Sequence, residues 1–240
     1  MNSNQICAHD APMPLWPVAP PGRPLAGLTV LVVEDSRLAS EAVRLLCLRS
    51  GARIRRADCL RTAARHLQTY RPGVAIVDMG LPDGSGAQLI AQLAGVVPVV
   101  LGMSGDPDTE AAAMAAGADG FLAKPVESLA LFQHLILSNL PPEARPPGLR
   151  VVPRDTVQPD AGALHDDLAH VAEVLASSSD TGAIDYIARF LAGVARSARD
   201  EPLEQAAAAL ARDHSAGRAL AADLARISGL VQDRLAAAQG

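Results

Sequence analysis

The chain is almost without lysine. Its 21 basic residues are 20 arginines and one lysine, Lys124, which stands directly before a proline in "FLAKPVES". Aromatic residues are nearly as scarce, with one Trp, two Tyr and three Phe, so any core must be built from aliphatic side chains. The formal net charge is -5, and no basic cluster stands out except "RIRR" at Arg53–Arg56. The electrostatic footprint of a nucleic-acid binder is therefore missing, and DNA is not expected as the main partner. The three cysteines, Cys7, Cys47 and Cys59, are an odd number with neither disulfide-framework nor metal-ligand spacing, which fits reduced thiols in a cytoplasm. No uncharged apolar run reaches the roughly 18 residues of a membrane span, and the N-terminus lacks the basic start and apolar run of a signal peptide. These absences point to a soluble, cytoplasmic protein.

What is present is globular in kind. The chain has 240 residues, 49% hydrophobic and 20% charged, enough for one domain of ordinary size and a smaller one. Residues 1–27 carry Pro12, Pro14, Pro17, Pro20, Pro21 and Pro24 and are expected to form a disordered, extended leader. From residue 28 onward, short β-branched runs alternate with amphipathic stretches. "LTVLVV", "ARIRRA", "VAIVD", "VPVVLGM" and "GFLA" read as strands, "ARIRRA" as an edge strand, each followed by a helical segment. The first helix has Ser36 as N-cap candidate and Gly51 as its stop. Five strands alternating with five helices through short loops require parallel pairing by right-handed crossovers, a doubly wound α/β domain over residues 28–140. Residues 141–160 are Pro-rich without helical period and predict a semi-rigid linker. Residues 161–240 hold no convincing strand. Leu164, Leu168, Val171 and Leu175 share one helix face, and Ile184, Ile187, Leu191 and Val194 another. A short helix over Leu203–Ala211 with Pro202 in its first turn, and a last helix from about Ser215, complete an expected all-α, bundle-like domain.

Ligands in open α/β sheets bind beyond the carboxyl ends of the strands. Just after the successive apolar runs stand Glu34 and Asp35, Asp78, Ser104 and Lys124. Three converging carboxylates repel one another unless a cation neutralises them, and an all-oxygen set with room for water and a phosphoryl oxygen suits Mg²⁺. Asp78, at the end of the central strand, can act as nucleophile toward phosphorus, a reaction that needs mainly in-line positioning and charge neutralisation. Ser104 offers a hydroxyl and Lys124 a compact point charge to the remaining oxygens. The register of the fourth strand leaves Met103 or Ser104 for the hydroxyl position, and only Ser104 carries the group.

"LVVEDS", "VDMGLPDGSG", "GMSG" and "GADGFLAKP", in this order, resemble the motifs of a two-component response regulator with a CheY-like receiver domain, over about residues 28–138. The resemblance implies a flavodoxin-like sheet of strand order 2-1-3-4-5 and a phosphoryl group accepted on Asp78 from a sensor histidine kinase or histidine phosphotransferase. It also implies Mg²⁺ held by Glu34, Asp35, Asp78 and the backbone carbonyl of Gly80. Ser104 would turn toward the aspartyl phosphate, Phe121 would swing in behind it, Lys124 would bind a phosphoryl oxygen, and Pro125 would shape that loop through a cis bond.

The second half suggests an output without DNA chemistry. Residues 161–240 contain 7 Arg, no Lys and 11 acids, a net of -4, and show neither a basic recognition helix nor a catalytic signature, so a regulatory phosphoacceptor rather than a separate enzyme is expected. "LHDDLAH" resembles the phosphoacceptor helix of dimerising histidine kinases, which makes His165 and His170 candidate phosphohistidines. The expected output is contact with a downstream protein or a second copy of the chain through the helical domain; a DNA-binding regulator or a phosphohistidine relay are the alternatives.

Overall fold

The computed structural model describes residues 22–146, 152–177 and 181–237. Strands β1 (Thr29–Val33), β2 (Arg53–Ala57), β3 (Val74–Asp78), β6 (Val99–Ser104) and β7 (Gly120–Ala123) form one parallel sheet of order β2-β1-β3-β6-β7. Among the five long strands this is the expected order 2-1-3-4-5. Central β3 is buried along its whole length, as a parallel strand covered on both faces must be. Edge strand β2 exposes Arg53, Arg55 and Arg56, charges that blunt an open edge. Helices α1 (Arg37–Ser50) and α5 (Leu129–Asn139) cover one face, and α2 (Leu60–Thr69), α3 (Gly86–Leu93) and α4 (Glu110–Ala115) the other, each over its own aliphatic core.

A short hairpin absent from the sequence-based expectation follows the central strand. Gly80–Leu81 (β4) pairs antiparallel with Gly84–Ser85 (β5). Gly86 then starts α3 so close beneath that a Cβ there would stand 1.9 Å from the Asp78 carbonyl oxygen, so only glycine fits. Residues 1–21 of the expected disordered leader lie outside the described residues, but at its end the expectation fails: Leu25 is fully buried in the α/β core and its N–H donates to Ser50 O.

The segment expected as a spacer is tied to the α/β domain where it is described. Val157 is fully buried, its N–H donates to Glu127 O, and Leu129 N–H donates to Asp155 O. Beyond it, α6 (Ala161–Ser177), α7 (Thr181–Ala198), α8 (Glu201–Ser215) and α9 (Ala221–Ala237) bury a third core around Leu168, Leu191, Leu210 and Ile227. Helix α8 runs four residues past the expected Ala211, and α9 starts correspondingly later than Ser215. His214 explains part of the extension: its Nδ1 lies 2.9 Å from Asp185 on α7, while Gly217, at φ 65°, makes the turn out of the helix.

Candidate phosphoacceptor site

The ends of β1, β3, β6 and β7 bring the predicted residues together. Glu34, Asp35 and Asp78 each present a carboxylate oxygen within 4.8 Å of the others. Lys124 Nζ bridges two of them, 2.6 Å from Glu34 Oε2 and 2.8 Å from Asp78 Oδ1. Glu34 Oε1 accepts from Ser36 N at 3.0 Å, and Asp78 Oδ2 from Gly80 N at 2.8 Å. The side chains of Asp78 and Lys124 are almost wholly buried. Ser104 Oγ accepts from Asp106 N at 3.0 Å and lines the same cavity as Asp78 and Lys124, whereas Met103 is fully buried in the core. Of the two, Ser104 is the one that reaches the cavity. Phe121 packs with its ring edge against Gly102, 3.1 Å from where a Cβ would stand. The Lys124–Pro125 peptide is cis.

Burial and mutual repulsion set the electrostatics. Desolvation pushes the Asp35 carboxyl up to about 6, with Asp78 adding to the effect and Lys124 opposing it. Burial drives Glu34 up as well, against the pull of Lys124. For Lys124, burial works against the ammonium, but Asp78 and Glu34 together outweigh it and hold the pKa above the ordinary lysine value. An excess of buried carboxylate over cation is the condition in which a further cation binds. The clustered carboxylate oxygens of Glu34, Asp35 and Asp78 are hard oxygen donors of the kind that suits Mg²⁺.

Sequence reasoning missed the contribution of the helical domain. Asp167 of α6, 1% exposed, accepts from Ser36 Oγ at 2.7 Å, Arg37 N at 2.7 Å and Leu38 N at 3.0 Å. Ser36 in turn caps Ala39 N at 3.1 Å. The hydroxyl of Tyr186 on α7 donates to Asp35 Oδ2 at 3.0 Å. Burial, and then the negative charge of Asp35, hold that phenol above its ordinary pKa, so it is a donor. Helix α7 crosses the mouth of the site, where a Cβ on Gly105 would meet Arg196 Nη1 at 3.1 Å and Gly193 Cα at 3.6 Å. Beneath it lies a cavity of about 240 Å³ lined by Asp78, Ser104, Lys124 and Arg196 among others. Two signals pointed this way. Asp167 is an acid inside an apolar helix stripe, between Leu164 and Leu168, and α1 has no acid in its own first turn.

The candidate phosphohistidines are not equivalent. His170 packs edge-on to Tyr186 and Phe190, with ring centroids at 6.4 and 5.8 Å. It also lines a cleft of about 1020 Å³ between α6 and the receiver that reaches Asp35. His165 does not line that cleft.

A doubly wound sheet with an acid triad, a lysine and a hydroxyl at its carboxyl edge defines a receiver. Residues 30–136 match the family model described as the response regulator receiver domain, and that segment of the chain is a receiver domain of this family. The KDP operon transcriptional regulatory protein KdpE of Escherichia coli K12 is 34% identical over 99 residues, 40% of this chain and 44% of that protein. The virulence transcriptional regulatory protein PhoP of Salmonella typhimurium is 32% identical over 120 residues, 47% of this chain and 53% of that protein. The chain thus spans about half the length of these curated relatives. Among solved structures, a putative response regulator from Chloroflexus aurantiacus is 28% identical, with 45% of this chain and 97% of that one covered at a TM-score of 0.42.

Proposed function

We propose that the chain is a response regulator whose Asp78 accepts a phosphoryl group from a phosphohistidine of a sensor kinase or phosphotransferase, and whose helical domain transmits the state by protein contact. The observation that carries this reading is the bridging of Asp78 and Glu34 by the lone lysine, at 2.8 and 2.6 Å, beside Ser104 at one cavity. An Asp78 oxygen attacks phosphorus; the P–N bond to the donor imidazole breaks, and the imidazole leaves as a neutral base after protonation. Lys124 neutralises charge on the transferred group, and Ser104 donates to one of its oxygens. Glu34, Asp35, Asp78 and the Gly80 carbonyl would hold Mg²⁺, which supplies further charge neutralisation when bound.

Incubation with acetyl phosphate and Mg²⁺ tests the reading. Wild type gains one phosphoryl group by intact mass and Asp78→Asn gains none; an unmodified wild type refutes it. The catalysis is confined to phosphoryl acceptance and loss at Asp78. KdpE and PhoP are named as transcriptional regulators, but the matches take in only 44% and 53% of those proteins, and residues 161–240 carry 7 Arg against 11 acids, net -4. A salt-sensitive shift on duplex DNA would favour a transcription factor over the protein-contact output. His170, beside the Tyr186 that touches Asp35, supports a relay as the second reading; its signature is acid-labile phosphate lost in His170→Ala and kept in His165→Ala.

A further inference from the structure

We infer that Tyr186 is a positioning residue of the phosphoacceptor site, orienting the Asp35 carboxylate for a divalent cation, so that the site is complete only with the helical domain docked. The inference rests on the receiver-site reading above and adds to it a residue from outside the receiver.

The three carboxylates are not held alike. Glu34 is fixed by Ser36 N and Lys124, and Asp78 by Gly80 N and Lys124, all groups of the receiver itself. Asp35 receives its side-chain hydrogen bond from Tyr186, 151 residues away in sequence. A carboxylate on a flexible χ pair can turn either oxygen toward a cation or away; a donor on Oδ2 selects one orientation.

The donor is itself well placed. The Tyr186 ring lies 5.5 Å from that of Phe190 and 6.4 Å from that of His170. Its 3.5 Å separation from His170 Nε2 is too long to compete with the 3.0 Å bond to Asp35. Asp167 supplies the second pin, on Ser36, Arg37 and Leu38. The stretch that carries Asp35 is therefore clamped from α7 on one side and α6 on the other. It is in this clamped arrangement that the three ligand oxygens lie within 4.8 Å of one another.

Linkage then requires the converse: if docking favours cation binding, cation binding favours docking to the same extent. The test is Mg²⁺ titration of the full chain by calorimetry, with backbone amide exchange at Arg37 and Leu38 as the measure of docking. Tyr186→Phe is expected to weaken Mg²⁺ binding by about 10-fold or more, the usual effect of losing an outer partner of a ligand. Its Arg37 and Leu38 amides should stay protected, because Asp167 is still in place. In wild type, saturating Mg²⁺ should slow exchange at those two amides.

An unchanged Mg²⁺ affinity in Tyr186→Phe overturns the inference, and so does weakened binding accompanied by loss of Arg37 and Leu38 protection, which would make Tyr186 a docking residue only. Faster exchange at these amides on adding Mg²⁺ to wild type overturns it too, and that measurement needs no variant to fold. A wild type that binds no Mg²⁺ at all refutes the receiver-site reading instead, so the two failures are distinguishable.

Discussion

Replacing Asp167 by alanine should detach the helical domain from the receiver without unfolding either. The carboxylate closes the first turn of α1: Ser36 Oγ and the amides of Arg37 and Leu38 donate to it at 2.7, 2.7 and 3.0 Å. A hydrogen bond to a charged acceptor contributes about 1.5–3 kcal/mol net, but the three are not additive, because undocking lets water reach the donors. An overall loss of about 3 kcal/mol is therefore expected, above the ~1 kcal/mol typical of an ordinary cap. Urea denaturation followed by circular dichroism measures it, and a cycle with Ser36→Ala should return a coupling of about 0.5–3 kcal/mol, since the two side chains share a bond. Asparagine at 167 should cost nearly as much, since its NH₂ would face amide donors. Stability of Asp167→Ala within about 0.5 kcal/mol of wild type, a surface-like effect, with unchanged exchange at Arg37 and Leu38, would refute the reasoning.

The other predictions concern the floor and the roof of the site. Lys124→Met leaves the Glu34 and Asp78 carboxylates buried without their shared cation and should cost about 3–5 kcal/mol in metal-free denaturation; stability equal to wild type would contradict the pairing. Lys124→Arg restores the charge with a larger planar fork and should recover stability only in part. In metal-free protein, Asp35 is raised from 3.8 to about 6 by burial and Asp78. The folded state therefore holds a proton the unfolded chain has lost, and stability should rise as pH falls from 7 toward 4, by on the order of 2 kcal/mol from this group. A flat urea midpoint over that range would oppose it. Gly105→Val places a Cβ 3.1 Å from Arg196 Nη1 and should expose the Arg37 and Leu38 amides to exchange while the sheet amides stay protected; unaltered exchange would show that α7 accommodates the branch.

The receiver was legible because its signals are local. "VAIVD" predicts a five-residue strand, and the strand is Val74–Asp78. Ser36 and Gly51 punctuate the first helix as expected, with Gly51 in the left-handed region at φ 85°. Glu34, Asp35, Asp78, Ser104 and Lys124 each follow an apolar run, so strand order alone gathers them. The hairpin at Gly80–Ser85 was hidden, because two-residue strands carry no alternation. Tyr186 and Asp167 were hidden for a different reason. Periodicity says which face of a helix is apolar but not which surface it docks on, and their partners lie 151 and 131 residues away. In "LHDDLAH" the buried, three-fold bonded group is not a histidine but the acid before Leu168.

Two helices flank the site, and neither supplies an acid to its own first turn: α1 and α2 both begin without one. Each receives a carboxylate from elsewhere. For α2 it is Asp83, in the hairpin that follows the phosphoacceptor strand, accepting from Leu60 N at 2.8 Å and Arg61 N at 3.0 Å. For α1 it is Asp167 of the helical domain. A carboxylate on a helix N-terminus satisfies amides that have no intrahelical partner and complements the positive end of the dipole. Both interactions are lost over a small displacement, since the dipole effect fades within one turn. The hairpin that follows Asp78 and the domain that covers the site are therefore registered against the receiver by the same short-range chemistry, at two helix N-termini. A shift of the Asp78–Gly86 segment acts on α2 through Asp83, and a shift of Asp35 acts on α7 through Tyr186. Each of these two helix ends is thus held, through hydrogen bonds of 3.0 Å or less, by a carboxylate from outside the helix itself.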